Sequence, residues 1–502
     1  MLRKYFGKIE AIYAIRVNAL GLAFFRIFYC LVLLLEVKQL FTFRTLIFSE
    51  VTISINLITS LLLLWGLALI FLFLGWFTRL AAVINYSIGV FIVWHMPDYK
   101  YHLDFVMTTV NFLLLFLPVS AGLSLDKYFG RQQHSEKYSS DQVSSLYGWL
   151  LVLLGIGLVY LDSSVYKFSS PMWRSGLGFW LPSSLPQNAH TNLSWVLNQE
   201  LLVRFIGYGI LLFEVLFLFL IWFRPLRWVL VLGGMLLHLG IGIAYPIPHF
   251  SLIMVALYIP LLPDSFWYKL RLVWGRRVEQ NQNELYRYAA FKPESGPRLK
   301  RYLMALFILY AGVGQLMCIL AAPAMQDFAE KYCAKDVLAG TQYLFKPFYY
   351  VNQKFLGIVS HDIFLDKHFA GYNQILNLSY VAKDNTLVPL PLFTQTGQPG
   401  TYSTGRIWTK WAYRVTGAHP EPNSLQTGMA QFSAFWMQQQ GLNLKEATFL
   451  IRVKKIAVVN NWEKNYLNRQ MQQPWRTIGR VYWYQGKCRF EWLSDSGLLK
   501  EK

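Results

Sequence analysis

Charge is scarce in this chain. Asp, Glu, Lys and Arg supply 15% of its 502 residues, against 55% hydrophobic residues, which excludes an ordinary soluble domain as a description of the whole. Cysteine is scarce as well: four residues are too few for a disulfide-dense scaffold. Missing altogether are HExxH, a CxxC pair, a P-loop, a GxGxxG opening a strand–helix unit, and GxSxG. Their absence removes the usual signatures of zinc hydrolysis, dithiol chemistry, nucleotide binding and serine hydrolysis. Nor do histidines recur three or four residues apart on one helix, so no metal is expected.

What the chain has instead is long apolar runs, near 18–37, 55–77, 79–96, 104–122, 146–164, 201–223, 228–245, 249–263 and 302–323. At 1.5 Å per residue such runs match the hydrocarbon thickness of a bilayer, with 249–263 short enough to be tilted or re-entrant. The expectation is a polytopic α-helical bundle of nine spans. The first run starts late and contains Arg26, so no cleavable signal peptide is expected.

The formal net charge of +20 would suit nucleic acid, but its placement does not. Lys269, Arg271, Arg276, Arg277, Arg287, Lys292, Arg298, Lys300 and Arg301 crowd between the eighth and ninth runs. A cationic cluster flanking a span marks the cytoplasmic side. Alternating from it, the basic segment 1–17 lies along the inner interface, and the bundle fills 18–263. Residues 264–300 form a cytoplasmic loop, 301–323 the last span, and 324–502 an extracytoplasmic domain. The partners implied are the lipid bilayer and a secreted or envelope protein on the outer side, with no nucleic acid.

The tail 324–502 is polar, turn-rich and alternating. Gln374–Val381 and Leu387–Phe393 flank Ala382–Thr386 as one hairpin, and Arg480–Tyr484 and Lys487–Leu493 flank Gln485-Gly486 as another. Thr448–Val459 reads as a strand and Thr427–Gln440 as a helix. This is expected to be a β-rich domain. Cys333 and Cys488 both fall in it, and a disulfide between them would suit an oxidising outer space.

Polar groups inside apolar runs are the candidate site. Lys167 follows the run Gly148–Leu161, and an ammonium there must pair, snorkel or give up its proton. Arg26 in the first run and Glu214 in the sixth are the obvious ion pair, and Glu36 is expected at the interface. His238 lies inside the seventh run, where a bond to a facing helix is the bland alternative to a functional role. His102 opens the fourth run, and Pro246 and Pro248 break the backbone beside His249.

These residues resemble, in order, those of the vitamin K-dependent gamma-glutamyl carboxylases and their bacterial relatives, the horizontally transferred transmembrane domain family. The resemblance runs through Leu20-Gly-Leu-Ala-Phe-Phe-Arg26 closing on Glu36, then His102, then Leu158–Lys167 with Trp173 and Gly176, then Glu214, then His238 with Phe250-Ser251. The tail segments Tyr372–Arg414 and Thr448–Val459 are similar to that family's outer domain. Tyr166-Lys167 stands where the vertebrate enzyme has two lysines, and Tyr101-His102 where it has Asn-His. The resemblance implies a bacterial plasma-membrane enzyme that uses a reduced naphthoquinone, oxygen and carbon dioxide to modify glutamate on a secreted protein. Lys167 and His102 would be catalytic; His238, Phe250 and Trp173 would line the quinone; Arg26, Glu214 and Glu36 would support them. Two alternatives stay open: a quinol-linked enzyme with another substrate, and a non-enzymatic scaffold in which Lys167 bridges to Asp162 or lipid phosphate.

Overall fold

The computed structural model describes residues 2–130, 142–273, 298–332, 346–418 and 420–493. Six of its helices are long and apolar enough to cross a membrane: Leu20–Thr42, Ile55–Leu74, Ser145–Phe168, Glu200–Leu220, Arg224–Ala244 and Arg301–Leu320. Thr78–Trp94 and His102–Leu114 are apolar but shorter, and Pro248–Leu261 bends by 92° into Asp264–Arg271. The nine apolar runs thus become six full-length helices, two short ones and a broken one. Most of the segment 264–300 lies outside the described residues.

The outer faces of these helices carry what a bilayer needs. Leu201, Phe205, Leu212, Phe219, Val229, Leu232 and Leu236 are all at least half exposed on Glu200–Leu220 and Arg224–Ala244, an apolar belt that water would not tolerate at this extent. Polar atoms turn inward and pair across helices: Tyr29 Oη and Asn85 Nδ2 both donate to Asn111 Oδ1 at 2.8 Å, and Trp65 Nε1 donates to Asn85 Oδ1 at 2.8 Å. Such bonds hold spans together where lipid removes any hydrophobic preference for helix over tail.

Short β1 (Arg16–Asn18) and β2 (Gln142–Ser144) pair antiparallel at one end of the bundle. The C-terminal domain is built on one antiparallel sheet. Its strands are β3 (Gln374–Val381), β4 (Leu387–Pro389), β5 (Glu446–Lys455), β6 (Trp475–Tyr484) and β7 (Lys487–Trp492), in the order β4-β3-β5-β6-β7. Both expected hairpins form; in the second, Gln485 and Gly486 hold φ of 47° and 76°, the left-handed pair that a two-residue turn requires. The helix Pro422–Gln439 covers the sheet, with Trp436 against Tyr380 and Phe449 at ring distances of 5.3 and 6.0 Å. Gly405–Thr409 and the turn after it lie between this domain and the bundle.

Cys488 sits half-buried opposite Trp483 and is a free thiol; Cys333, the other half of the expected disulfide, lies outside the described residues.

The sheet domain is seated on the bundle by specific bonds. Gly405 N donates to Pro246 O at 2.7 Å, Trp408 Nε1 to Gln187 O at 2.7 Å, Tyr413 Oη to Asn188 Oδ1 at 2.7 Å and Trp462 Nε1 to Leu197 O at 2.9 Å. Residues 352–361 descend further. There Tyr86 Oη donates to Phe355 O, Thr109 Oγ1 to Leu356 O and Gln315 Nε2 to Val359 O, so this stretch packs among the membrane helices themselves.

Candidate functional site

Ser145–Phe168 organises the buried polar groups. It is α-helical except for a π-turn over Leu153–Gly157, an irregularity that recurs at functional positions because it re-aims the side chains beyond it. After that turn come Tyr160, Asp162 and Lys167, pointing to different neighbours.

Lys167 is 5% exposed and its Nζ donates to both carboxylate oxygens of Glu214, at 2.5 and 2.7 Å. The ammonium also lies 4.5 Å from the centre of the Trp173 ring. Trp173 is fixed in turn by its Nε1 bond to Phe364 O at 2.7 Å. Its backbone turn is capped by Ser170, and Asp366 accepts from both Ser170 Oγ and Met172 N. The expected pairing of Glu214 with Arg26 is therefore wrong, and so is the bridge from Lys167 to Asp162. Arg26 is fully buried elsewhere, donating to Val119 O at 2.9 Å and Leu123 O at 2.5 Å. Those carbonyls lie where the chain leaves regular helix and have no intrahelical donor, so the Arg26 guanidinium satisfies them. Gly75, at φ +66°, makes room: a Cβ there would come within 2.5 Å of Arg26 Nη1.

Tyr160 starts a second cluster beside the first. Its hydroxyl meets His238 Nε2 at 2.6 Å and Tyr258 Oη at 2.8 Å. Phe250 stands edge-on to His238 at 6.0 Å, Phe213 and Phe217 pack on Tyr160, and Ser251 Oγ donates to His238 O. Gly234 allows the approach, since a Cβ there would overlap the Tyr258 hydroxyl at 2.1 Å. His238 Nδ1 is buried with no partner among the described residues.

His102 is not with Lys167. Its ring lies 5.6 Å from that of His361, and Asp162 Oδ2 accepts from His361 backbone N at 2.5 Å and meets its Nδ1 at 3.3 Å. Glu36 belongs to a fourth group and is fully buried rather than interfacial. It accepts from Arg406 Nε at 2.8 Å, with Arg406 Nη2 also within reach of Asp104 Oδ1 at 3.1 Å and His249 Nδ1 at 2.6 Å from Glu36 Oε2. Burial alone would lower the Arg406 pKa, but the Asp104 and Glu36 carboxylates outweigh it and raise it above the usual arginine value.

Of the residues singled out in the sequence, the structure gathers Lys167, Glu214 and Trp173, and gathers His238 with Phe250. It sets apart His102, Arg26 and Glu36. Tyr160, Tyr258, His361 and Arg406 went unnoticed in the sequence; Tyr160 was the most findable, being a polar ring seven residues before the key lysine on the same helix. No group of three or more His, Cys, Asp or Glu residues positioned to hold a metal occurs among the described residues. Comparison of the chain with protein-family models, with curated proteins and with solved structures gave no match.

Proposed function

We propose that this chain is a membrane-embedded carboxylase-like enzyme of the bacterial plasma membrane, its N-terminus cytoplasmic and its sheet domain extracytoplasmic. The observation that carries the reading is the buried Lys167–Glu214 pair set against Trp173 and beside the Tyr160–His238–Tyr258 cluster. A doubly bonded ammonium–carboxylate pair away from water is a proton store. Passing the proton from Nζ to Glu214 leaves a neutral amine and a neutral acid, and no net charge changes in an apolar surround. The amine so released is a base held between helices, with water kept out.

The residues present fit a reduced naphthoquinone. An orphaned imidazole nitrogen on His238 and the rings of Phe250, Phe213, Phe217 and Tyr258 suit a flat apolar ring with a polar oxygen. When bound, that group would supply, with oxygen, the strong base that proton abstraction from a glutamate side chain demands. His238 and Tyr160 would orient it, Lys167 would take or hold a proton, and Trp173 would close the outer side. Carbon dioxide and a glutamate-bearing secreted or envelope protein are the other partners of this reading, which makes the chain a lyase.

The test is incorporation of labelled bicarbonate into glutamate peptides by the purified full-length protein with reduced menaquinone. Wild type should turn over, and Lys167→Ala should not while still eluting as a folded protein. Turnover retained in that variant sinks the reading.

The scaffold reading draws on one observation, the clamp in which Arg406 joins the sheet domain to three membrane segments through Glu36, Asp104 and the neighbouring His249. It requires no quinone. A preparation that neither retains a naphthoquinone nor binds added menaquinone favours it over the enzyme.

A further inference from the structure

At the end of the helix Thr78–Trp94, one indole is shared by two lysines. Lys100 Nζ lies 4.4 Å from the centre of the Trp94 ring and Lys354 Nζ 4.1 Å from it, each drawn there by the negative face of the π-system. They come from different segments. Lys100 is in the turn before His102–Leu114, whereas Lys354 belongs to the stretch that descends among the membrane helices. The carbonyl of the next residue, Phe355, accepts from Tyr86, about two turns before Trp94 on the same helix. The Lys354 side chain therefore runs back toward the helix end, as a snorkelling lysine does, and sets its ammonium at the level of Trp94.

No carboxylate pairs with either ammonium among the described residues. The adjacent one, on Asp98, is held by Lys410 at 2.7 Å. Arg414 adds a third cation and directs its guanidinium to the carbonyls of Asp98 and Lys100 rather than to an acid. Burial lowers the Lys100 pKa from its ordinary value, and Lys354 and Arg414 lower it further against the opposing charge of Asp104. Like charges held together in a half-buried place repel, and an anion among them relieves the repulsion.

The surroundings are those of a bilayer's edge. Phe348, Tyr349, Tyr350 and Phe355 are all exposed, and Tyr350 stands edge-on to Trp94 at 5.3 Å. Exposed aromatics crowded at the end of a membrane helix match the interfacial belt, where rings sit at the level of the headgroups. Lipid phosphates lie at that same level.

We propose that Lys100 and Lys354 form a site, at the end of the bundle that carries the sheet domain, for the phosphate of an anionic glycerophospholipid. The two free oxygens of a phosphodiester share one negative charge, and each ammonium has donors for one of them. The acyl chains lie against Tyr350 and Phe355, which a free phosphate or an acidic peptide would leave in water. Phosphatidylglycerol brings the charge with a neutral glycerol. Phosphatidylcholine brings a quaternary ammonium that Lys100, Lys354 and Arg414 repel. No bond forms or breaks, and the site does not depend on what the Lys167–Glu214 pair does.

The experiment places the full-length protein in nanodiscs of equal parts phosphatidylglycerol and phosphatidylcholine, then counts by native mass spectrometry the lipids that stay bound on release. Retained phosphatidylglycerol should exceed phosphatidylcholine by roughly tenfold, the scale that two interfacial lysines supply. Lys100→Gln combined with Lys354→Gln should bring the two lipids close to parity. Lys383→Gln combined with Lys445→Gln, which removes the same charge from exposed positions of the sheet domain, should leave the preference intact. Neither glycerol phosphate nor a polyglutamate peptide should displace the lipid. The wild-type comparison needs no variant, so misfolding of a mutant leaves it standing. The proposal is overturned if wild type retains both lipids equally, if the preference survives in the Lys100/Lys354 variant, or if the sheet-domain pair of substitutions removes it as fully. Displacement by glycerol phosphate, which marks a site for phosphate alone, or by the peptide overturns it too.

Discussion

Arg406 of the sheet domain and Glu36 of the first span are joined by a 2.8 Å bond from Nε to Oε1, 370 residues apart in the chain and both fully buried. Asp104 on a second membrane helix shares the same guanidinium. One residue thereby ties the sheet domain to the bundle at a point where water cannot replace it.

Removing that guanidinium strands two carboxylates. Arg406→Ala is expected to cost about 3–5 kcal/mol, the usual penalty for leaving buried charge uncompensated. In limited proteolysis of the full-length protein, the sheet domain should be released or cut faster. Adding Glu36→Gln and Asp104→Asn to Arg406→Met should recover part of the loss. Unchanged proteolysis of Arg406→Ala would show that the clamp does not hold the domains together.

Lys167 and Glu214 should behave as a coupled unit. Either Lys167→Met or Glu214→Met alone leaves one buried charge, whereas the double substitution removes both. The double variant should therefore melt well above the sum of the single losses, with a coupling of about 0.5–3 kcal/mol typical of residues in contact. Thermal unfolding in detergent by near-ultraviolet circular dichroism measures it, and additive losses would deny the pairing.

Gly234→Ala tests the second cluster. A methyl group 2.1 Å from the Tyr258 hydroxyl must push that ring away from Tyr160 and His238. A destabilisation of about 1–3 kcal/mol is expected from overpacking. Adding Tyr258→Phe, which deletes the clashing oxygen, should restore part of it. No effect from Gly234→Ala would mean that the helices can separate there at little cost.

Lys454 in β5 gives a pH signature. It is nearly fully buried, and Nζ donates to Met471 O and Gln473 O at 2.7 Å each. Burial lowers its pKa to about 8 from the usual lysine value of 10.5. The unfolded chain then holds this proton more tightly than the folded one, so stability should rise as pH climbs from about 8 toward 10. Unfolding of the sheet domain followed from pH 8 to 9.5 should show the rise in wild type and lose it in Lys454→Met. A wild-type curve that is flat or falling over that window contradicts the assignment.

How much of this was legible beforehand varies by element. The turn Gln485-Gly486 was readable because left-handed backbone is a local demand that few residues meet. The sheet-covering helix was readable because its apolar residues recur at helical spacing. The short run 249–263 pointed to a tilted or re-entrant segment, though not to the 92° bend that follows it; the shortened helix at 102–114 was not legible, because hydropathy reports which residues avoid water, not where backbone leaves the helix. The site was half legible. That Lys167 and Glu214 are buried polar groups needing partners could be read directly, but that they are partners of each other could not.

The chain's residues by themselves determined that apolar helices cross a bilayer, that an antiparallel sheet follows, and that a few ionisable groups must be satisfied out of water. Those outcomes depend on composition, period and turn chemistry, which act over a few residues. Only the tertiary structure decided which group satisfies which: Glu214 with Lys167 rather than Arg26, Glu36 with Arg406, Asp162 with His361. A buried charge will accept any partner of the right sign, and the choice among them is made by which helices pack side by side.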